Sequence, residues 1–504
     1  MRCLRTPIHA THVIDLLAVS GASRGMPRFG AAAPTSEYEA RCAESALLYS
    51  VVAAELDGFL AAARDRGHPL PAFVESTFRD FLTCGLPEYG FIRVHCDRCG
   101  RDRVVAFSCK KRGICNSCAG RRMAETAAHL VDRVLPDVAT RQWVLSMPFP
   151  LRYRLAYDRT LATPLLAAFL RAVFASLRRR ARECYGIRKA KCGAVTFLQR
   201  FGGSLNLNVH FHSLLLDGVY EVLPNSRGVR FVDLPPPDTQ EVVRVLADTV
   251  ARLASALERS GYGSRDEGDG EDELSRENPV LAALYAAAVQ GRTAMGAEAG
   301  QRTTRLGNAA LAFDPATVGS SRCATLGGFS LHAGVAVGAA DREGLERLLR
   351  YMGRPALAAE RLERLADGRI LYRFRHRWRD GTSALVFEPR ELLARLAAQV
   401  PPPRAHQVRY HGLLGPCALW RQYVVPVPEV PQQQAGDSPG CSHQQSRVPP
   451  ARRIAWSDLL RRVLVHPINY RPRRGSVRAC PDHAPFSSTV RAGNRVCGAP
   501  AQLG

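Results

Sequence analysis

Five cysteines fall within the 23 residues from Cys96 to Cys118, and four of them form two Cys-x2-Cys pairs, Cys96/Cys99 and Cys115/Cys118, with fifteen residues between the pairs. Each pair chelates from a tight turn, so the two together offer four thiolates to one tetrahedral zinc and confine the chain between them to a small metal-closed ribbon. Four sulfur ligands leave no open coordination position, which makes the expected Zn²⁺ site structural. A redox pair would account for either knuckle alone but not for both. Cys109 is the spare thiol, able to replace one ligand or to stand free. Cysteine clustering in a chain of 504 residues, with no recognisable secretory signal and no long apolar run, points to a reducing bacterial cytoplasm and to no membrane span.

Charge adds a partner. Lys and Arg total 69 against 46 acidic residues, a net of +23. Such a surplus suits a polyanion, because neutralising phosphates releases their counterions; the Arg-rich usage of a GC-rich genome is the competing explanation. Around the knuckles stand Arg93, Arg112, Arg121 and Arg122, a face suited to gripping nucleic acid or, more plainly, to being solvated.

Composition and periodicity divide the chain. Residues 1–35 are Gly/Ala/Ser/Pro-rich and read as a disordered tail, and residues 36–125 as a helical, zinc-binding domain. A larger body spans 126–425, with strand-like runs at Cys192–Phe201, Leu205–Leu216 and Phe329–Val337 and a solvated acidic loop at 261–277. A low-complexity linker follows at 426–452, then a divergent tail at 453–504 with one short helix near Trp456.

Two segments of the body carry chemistry. Read with a period of two, Leu205, Leu207, Val209 and Phe211 share one face of a half-buried strand, and Asn206, Asn208, His210 and His212 share the other. Imidazoles at i and i+2 can hold one divalent cation and leave positions for a phosphate oxygen; a pair of solvated rings is the bland alternative. From Asp341, a predicted N-cap, a helix runs to Pro355 with Leu345, Leu348, Leu349 and Met352 as its apolar stripe. Tyr351 flanks that stripe among Arg347, Arg350 and Arg354. A boundary tyrosine anchors many helices; one beside cations and a metal is also a nucleophile for phosphate.

The stretches SCKKRGICNSCAGRRMAET, FLQRFGGSLNLNVHFHSLLLDGVY, GFSLHAGVAV, LERLLRYMGRP and VRYHGLLGP, in this order, resemble transposases of the insertion-sequence family ninety-one, which belong to the HUH (His-hydrophobic-His) endonucleases. The resemblance implies an α+β chain: a helical, zinc-ribbon N-terminal domain, then an HUH nuclease domain with a central antiparallel sheet flanked by helices. It implies that His210 and His212 hold Mg²⁺ or Mn²⁺, that Tyr351 becomes joined to the 5′ phosphate of cleaved single-stranded DNA at element ends, and that Cys96, Cys99, Cys115 and Cys118 hold zinc. Arg112, Arg121, Arg122, Arg350 and Arg354 are the expected DNA contacts. The third catalytic-metal ligand is left open among Gln199, Asp217 and His332. Some relatives carry a second tyrosine four residues on, where this chain has Pro355. A further C-terminal knuckle of related proteins is replaced by Arg471 and Arg474, which cannot ligate zinc. A replication initiator with the same chemistry, or a zinc-ribbon DNA binder without catalysis, are the alternatives.

Overall fold

The computed structural model describes residues 43–95, 102–158, 160–223, 228–259, 272–307, 321–378 and 380–426. The expected N-terminal tail, linker and C-terminal tail lie outside these residues, Pro426 apart, as do Cys96, Cys99 and most of the acidic tract.

Helix α1 (Leu47–Asp65) forms where Leu48, Val51, Val52, Leu56, Phe59 and Leu60 recur at three- and four-residue spacing, and all six are buried. It turns at Gly67, whose φ of +94° favours glycine, into α2 (Ala72–Leu82). The two helices pack through Phe59 and Phe78, whose ring centroids are 6.1 Å apart. An antiparallel pair, β1 (Phe91–His95) and β2 (Asp102–Ala106), leads to α3 (Asn116–Arg133).

The body then runs β3 (Thr140–Ser146), α4 (Phe149–Tyr157), α5 (Ala162–Tyr185), β4 (Ala190–Lys191), β5 (Gly193–Phe201), β6 (Leu207–Leu216), β7 (Gly218–Val222) and β8 (Val229–Asp233). Helices α6 (Thr239–Arg259), α7 (Glu273–Glu277) and α8 (Pro279–Gln290) follow, then β9 (Thr304–Gly307), β10 (Cys323–Leu326) and β11 (Phe329–Val337). After α9 (Arg342–Met352) come β12 (Leu362–Arg364), β13 (Ile370–Arg373), β14 (Thr382–Phe387), α10 (Pro389–Gln399) and β15 (Val408–Gly412). The end of the 261–277 tract is therefore helical rather than loop: Asp272 caps α7 by accepting from the Ser275 amide, and Leu274 is buried.

Six strands form the central antiparallel sheet in the order β10-β11-β3-β6-β5-β15. Strand β6 is interior, with His212 opposite Val144 of β3 and Phe197 of β5, and His210 opposite Ser146 and Gln199. Leu207, Val209 and Phe211 pack with Trp143 and Leu145 into one apolar core, to which α5, α8 and α10 also contribute. Phe197, Leu214 and Leu216 pack into another, with Leu130 of α3 and Leu345, Leu348 and Met352 of α9. The period-two reading of β6 thus assigns the faces, but the polar face is covered rather than solvated. His210 and His212 are only 8% and 5% exposed, because α3 and α9 lie over them. That covering is long-range and leaves no mark on the strand's own alternation.

Candidate metal centres and active site

Cys84 follows α2, Cys109 follows β2, Cys115 is the N-cap of α3 and Cys118 lies in its first turn. Their four sulfurs lie within 4.8 Å of one another. The distances Cys84–Cys118, Cys84–Cys115 and Cys109–Cys118 are 3.7, 3.7 and 3.6 Å. Sulfurs about 2.3 Å from a common zinc stand about 3.8 Å apart at tetrahedral angles, so the set fits that ion. Hydrogen bonds from Cys109 and Cys115 hold the Cys118 thiol far below the usual thiol range, while contact with Cys115 and Cys118 pushes Cys109 up. Crowded thiols divide their protons unequally in this way, and a divalent cation relieves the crowding by holding all four as thiolates.

Two of these thiols, Cys115 and Cys118, are those expected from the knuckles. Cys109 enters as a ligand candidate rather than as a spare. Cys84 was missed because it has no cysteine within three positions, the spacing that marks a knuckle. Cys96 and Cys99, the other two expected ligands, lie outside the described residues.

The second candidate centre is on β6. The His210 and His212 Nε2 atoms are 2.9 Å apart, matching the roughly 3.0 Å between adjacent octahedral positions about 2.1 Å from a cation. Beyond them, His210 Nδ1 meets the Asn208 carbonyl at 2.7 Å and His212 Nδ1 meets Gln142 Nε2 at 2.9 Å. These outer contacts orient both rings. With Gln142 Nε2 donating, the neutral His212 ring carries its proton on Nε2 and donates it to His210 Nε2. A cation shared by both Nε2 atoms would need the Gln142 amide turned so that its oxygen accepts from Nδ1. Burial lowers the pKa of His210 to about 4 and holds that of His212 well below the imidazole range, so both rings are neutral near pH 7, as metal ligation requires.

Gln199 stands beside the pair, directly across from His210. Its Nε2 donates to the Met352 carbonyl at 2.7 Å, and its buried Oε1 has no partner among the described residues. An oriented acceptor left unsatisfied in the interior is costly unless something binds it, and it suits a third metal ligand. Asp217, at the far end of β6, is taken up by Arg141 in a bidentate pair with contacts of 2.9 and 2.6 Å. His332, on β11 two strands from β6, is opposite Val144 of β3, which places it about 10 Å from His212 at ordinary strand spacing; its Nε2 is buried without a partner among the described residues.

Tyr351, in the last turn of α9 and 36% exposed, brings its ring to 6.1 Å from that of His212. The helix starts as expected, with Asp341 accepting from the Gly344 amide at 2.7 Å. Arg354 lies over the Tyr351 ring, 4.3 Å from its centroid. Of the other expected DNA contacts, Arg350 pairs with Glu346 and Arg121 with Glu125 along their own helices. Arg112 donates to the Ala405 carbonyl and Arg122 to that of Lys110. The basic helix α5 is used internally: Arg178 and Arg180 donate to the Ala190 and Pro235 carbonyls, and Arg179 pairs with Glu183 and Glu241.

Among the described residues no helix is long and apolar enough to cross a membrane. Residues 55–147, which contain all four clustered thiols, match the family model described as "Transposase zinc-binding domain". Residues 193–419, which contain Gln199, His210, His212 and Tyr351, match the one described as "Putative transposase". No curated protein and no solved structure matches the chain at a significant level. Both matches fall, in order, on the parts that carry the thiol cluster and the histidine–tyrosine site: the chain belongs to the transposases of the insertion-sequence family ninety-one, with an N-terminal zinc-binding domain.

Proposed function

We propose that this transposase nicks and rejoins single-stranded DNA at insertion-element ends through a covalent 5′-phosphotyrosine link on Tyr351, the rolling-circle mode of transposition. The observation that carries the reading is the convergence of the His210–His212 pair, the Gln199 Oε1 and the Tyr351 ring on one face of the central sheet. His210, His212 and Gln199 would hold Mg²⁺ or Mn²⁺. Such an ion, when bound, polarises a phosphate oxygen and draws negative charge from the phosphorus.

The chain's own part is positional. Gln142 and the Asn208 carbonyl keep the imidazoles aimed at one point, and Gln199 ties that point to the end of α9. Arg354, over the tyrosine ring, favours negative charge on Oη and on the approaching phosphate. Tyr351 Oη loses its proton and bonds to phosphorus, the P–O3′ bond breaks, and the 3′ hydroxyl leaves with a proton. Attack by a 3′ hydroxyl reverses the step and joins strands without ATP. With Pro355 where a second tyrosine would stand, one DNA end is held covalently at a time.

The test incubates full-length protein and Mn²⁺ with labelled single-stranded oligonucleotides from the element ends and resolves the products on a denaturing gel. A protein–DNA adduct, lost in Tyr351→Phe, is expected. Binding without an adduct under either metal would overturn the proposal.

A further inference from the structure

Beside the nucleophile lies a cavity of about 100 Å³, open to solvent at its mouth, between α3 of the zinc-binding region and strand β5. Arg112, Arg122, Arg200 and Arg354 line it and, among the described residues, no carboxylate does. Gln399, at the end of α10, also lines it and is 2% exposed. Gln399 Nε2 donates to the Leu205 carbonyl at 3.2 Å. That bond decides which way the amide points, because turning it over would set oxygen against oxygen. Its Oε1 is consequently a buried acceptor with no partner among the described residues.

The two halves of the cavity make opposite demands. An inorganic anion would satisfy the guanidiniums but meet the orphan carbonyl oxygen with like charge. A simple cation would do the reverse. A nucleotide has a phosphate for the arginines and, in adenine, cytosine or guanine, an exocyclic amino group for the amide oxygen; thymine has no such amino group. Phe201 and Met352 supply apolar lining for the base. Arg354 links the cavity to the chemistry, since its guanidinium lies 5.5 Å from the Phe201 ring and 4.3 Å from that of Tyr351.

We propose that this cavity receives an unstacked base next to the scissile phosphate and that Gln399 selects for an amino-bearing base there. The inference rests on the reading of Tyr351 as the DNA-cleaving residue, and it adds a site that decides where the strand is cut.

The test uses the full chain and a labelled library of random single-stranded 30-mers with Mn²⁺. The bound and adducted fractions are sequenced for the wild type and for Gln399→Met, a change that keeps the side-chain length and removes the acceptor. The wild type is expected to disfavour thymine by about tenfold at one position beside the cleavage point, the discrimination of a single buried hydrogen bond. Gln399→Met is expected to flatten that position alone. A second arm needs no variant: on the selected sequence, an analogue of the preferred base without its amino group should bind the wild type about tenfold more weakly. Adducts that form with no preference beside the cut, a preference for thymine there, or equal binding of the analogue would overturn the base pocket and leave the nuclease reading standing. Binding with no adduct under any divalent metal would instead defeat the nuclease reading, and the pocket as a selector of the cut with it.

Discussion

The Tyr351 ring meets the His212 ring edge-on, with 6.1 Å between centroids and 78° between planes. A helix end is thereby held against an interior strand. Because Tyr351 is 36% exposed, its hydroxyl is not required for packing. Tyr351→Phe should change stability by less than about 0.5 kcal/mol, leave oligonucleotide affinity within about twofold, and abolish adduct formation. Thermal unfolding, anisotropy and the denaturing gel check the three outcomes separately.

Gln199 Oε1 is the one candidate third ligand directly across a strand from His210. Gln199→Leu removes the acceptor and also the donor to the Met352 carbonyl. Mn²⁺ affinity should fall by roughly 10- to 100-fold, as for loss of a supporting ligand or its outer partner. Asp217→Asn should leave Mn²⁺ affinity unchanged while destabilising the fold by about 3–5 kcal/mol, since it strips the buried Arg141 of its charge partner. Calorimetric titration with Mn²⁺ separates the two; a larger affinity loss in Asp217→Asn would reverse the assignment.

Cys84 Sγ sits 3.7 Å from the sulfurs of both Cys115 and Cys118. Cys84→Ala should release zinc from the cluster and lower the melting temperature of the N-terminal region, because structural zinc contributes directly to folding. Zinc per chain by atomic absorption, with Cys184→Ala at an exposed thiol as the control, checks this.

Glu241 joins α6 to α5. Burial alone would raise its pKa, but donors on Ser176, Arg179 and Arg244 lower it to about 2. A depressed carboxylate pKa contributes stability that is complete above the unfolded value near 4.5 and is lost as pH falls towards 2. Arg179 and Arg244 are 36% and 59% exposed, so screening limits the contribution to about 1–2 kcal/mol. Urea midpoints of wild type and Glu241→Gln should converge between pH 4.5 and 2 and differ at pH 7. A constant gap across that range would contradict this account.

Some of this was legible along the chain. The α9 stripe, the Asp341 cap and the strand at Phe329–Val337 rest on neighbours a few residues apart, and the structure has them as expected. Strand β3 went unread although it pairs directly with the histidine strand. Its segment, TRQWVLS, shows no clean polar alternation because helices cover the sheet on both sides. Helices α6, α8 and α10 were likewise not placed.

The sequence by itself determined which side chains share a face: period two puts His210 and His212 together, and period 3.6 puts Tyr351 beside its stripe, since backbone geometry repeats over a few residues. Only the tertiary structure decided what those faces meet. It brought Cys84 to Cys109 and Cys115, set Gln199 rather than Asp217 beside the imidazoles, and turned Gln399 towards the cavity. Cys84 lies 25 residues before Cys109 and Gln399 lies 194 beyond Leu205, and such meetings are set by how apolar faces close over one another, which no local repeat records.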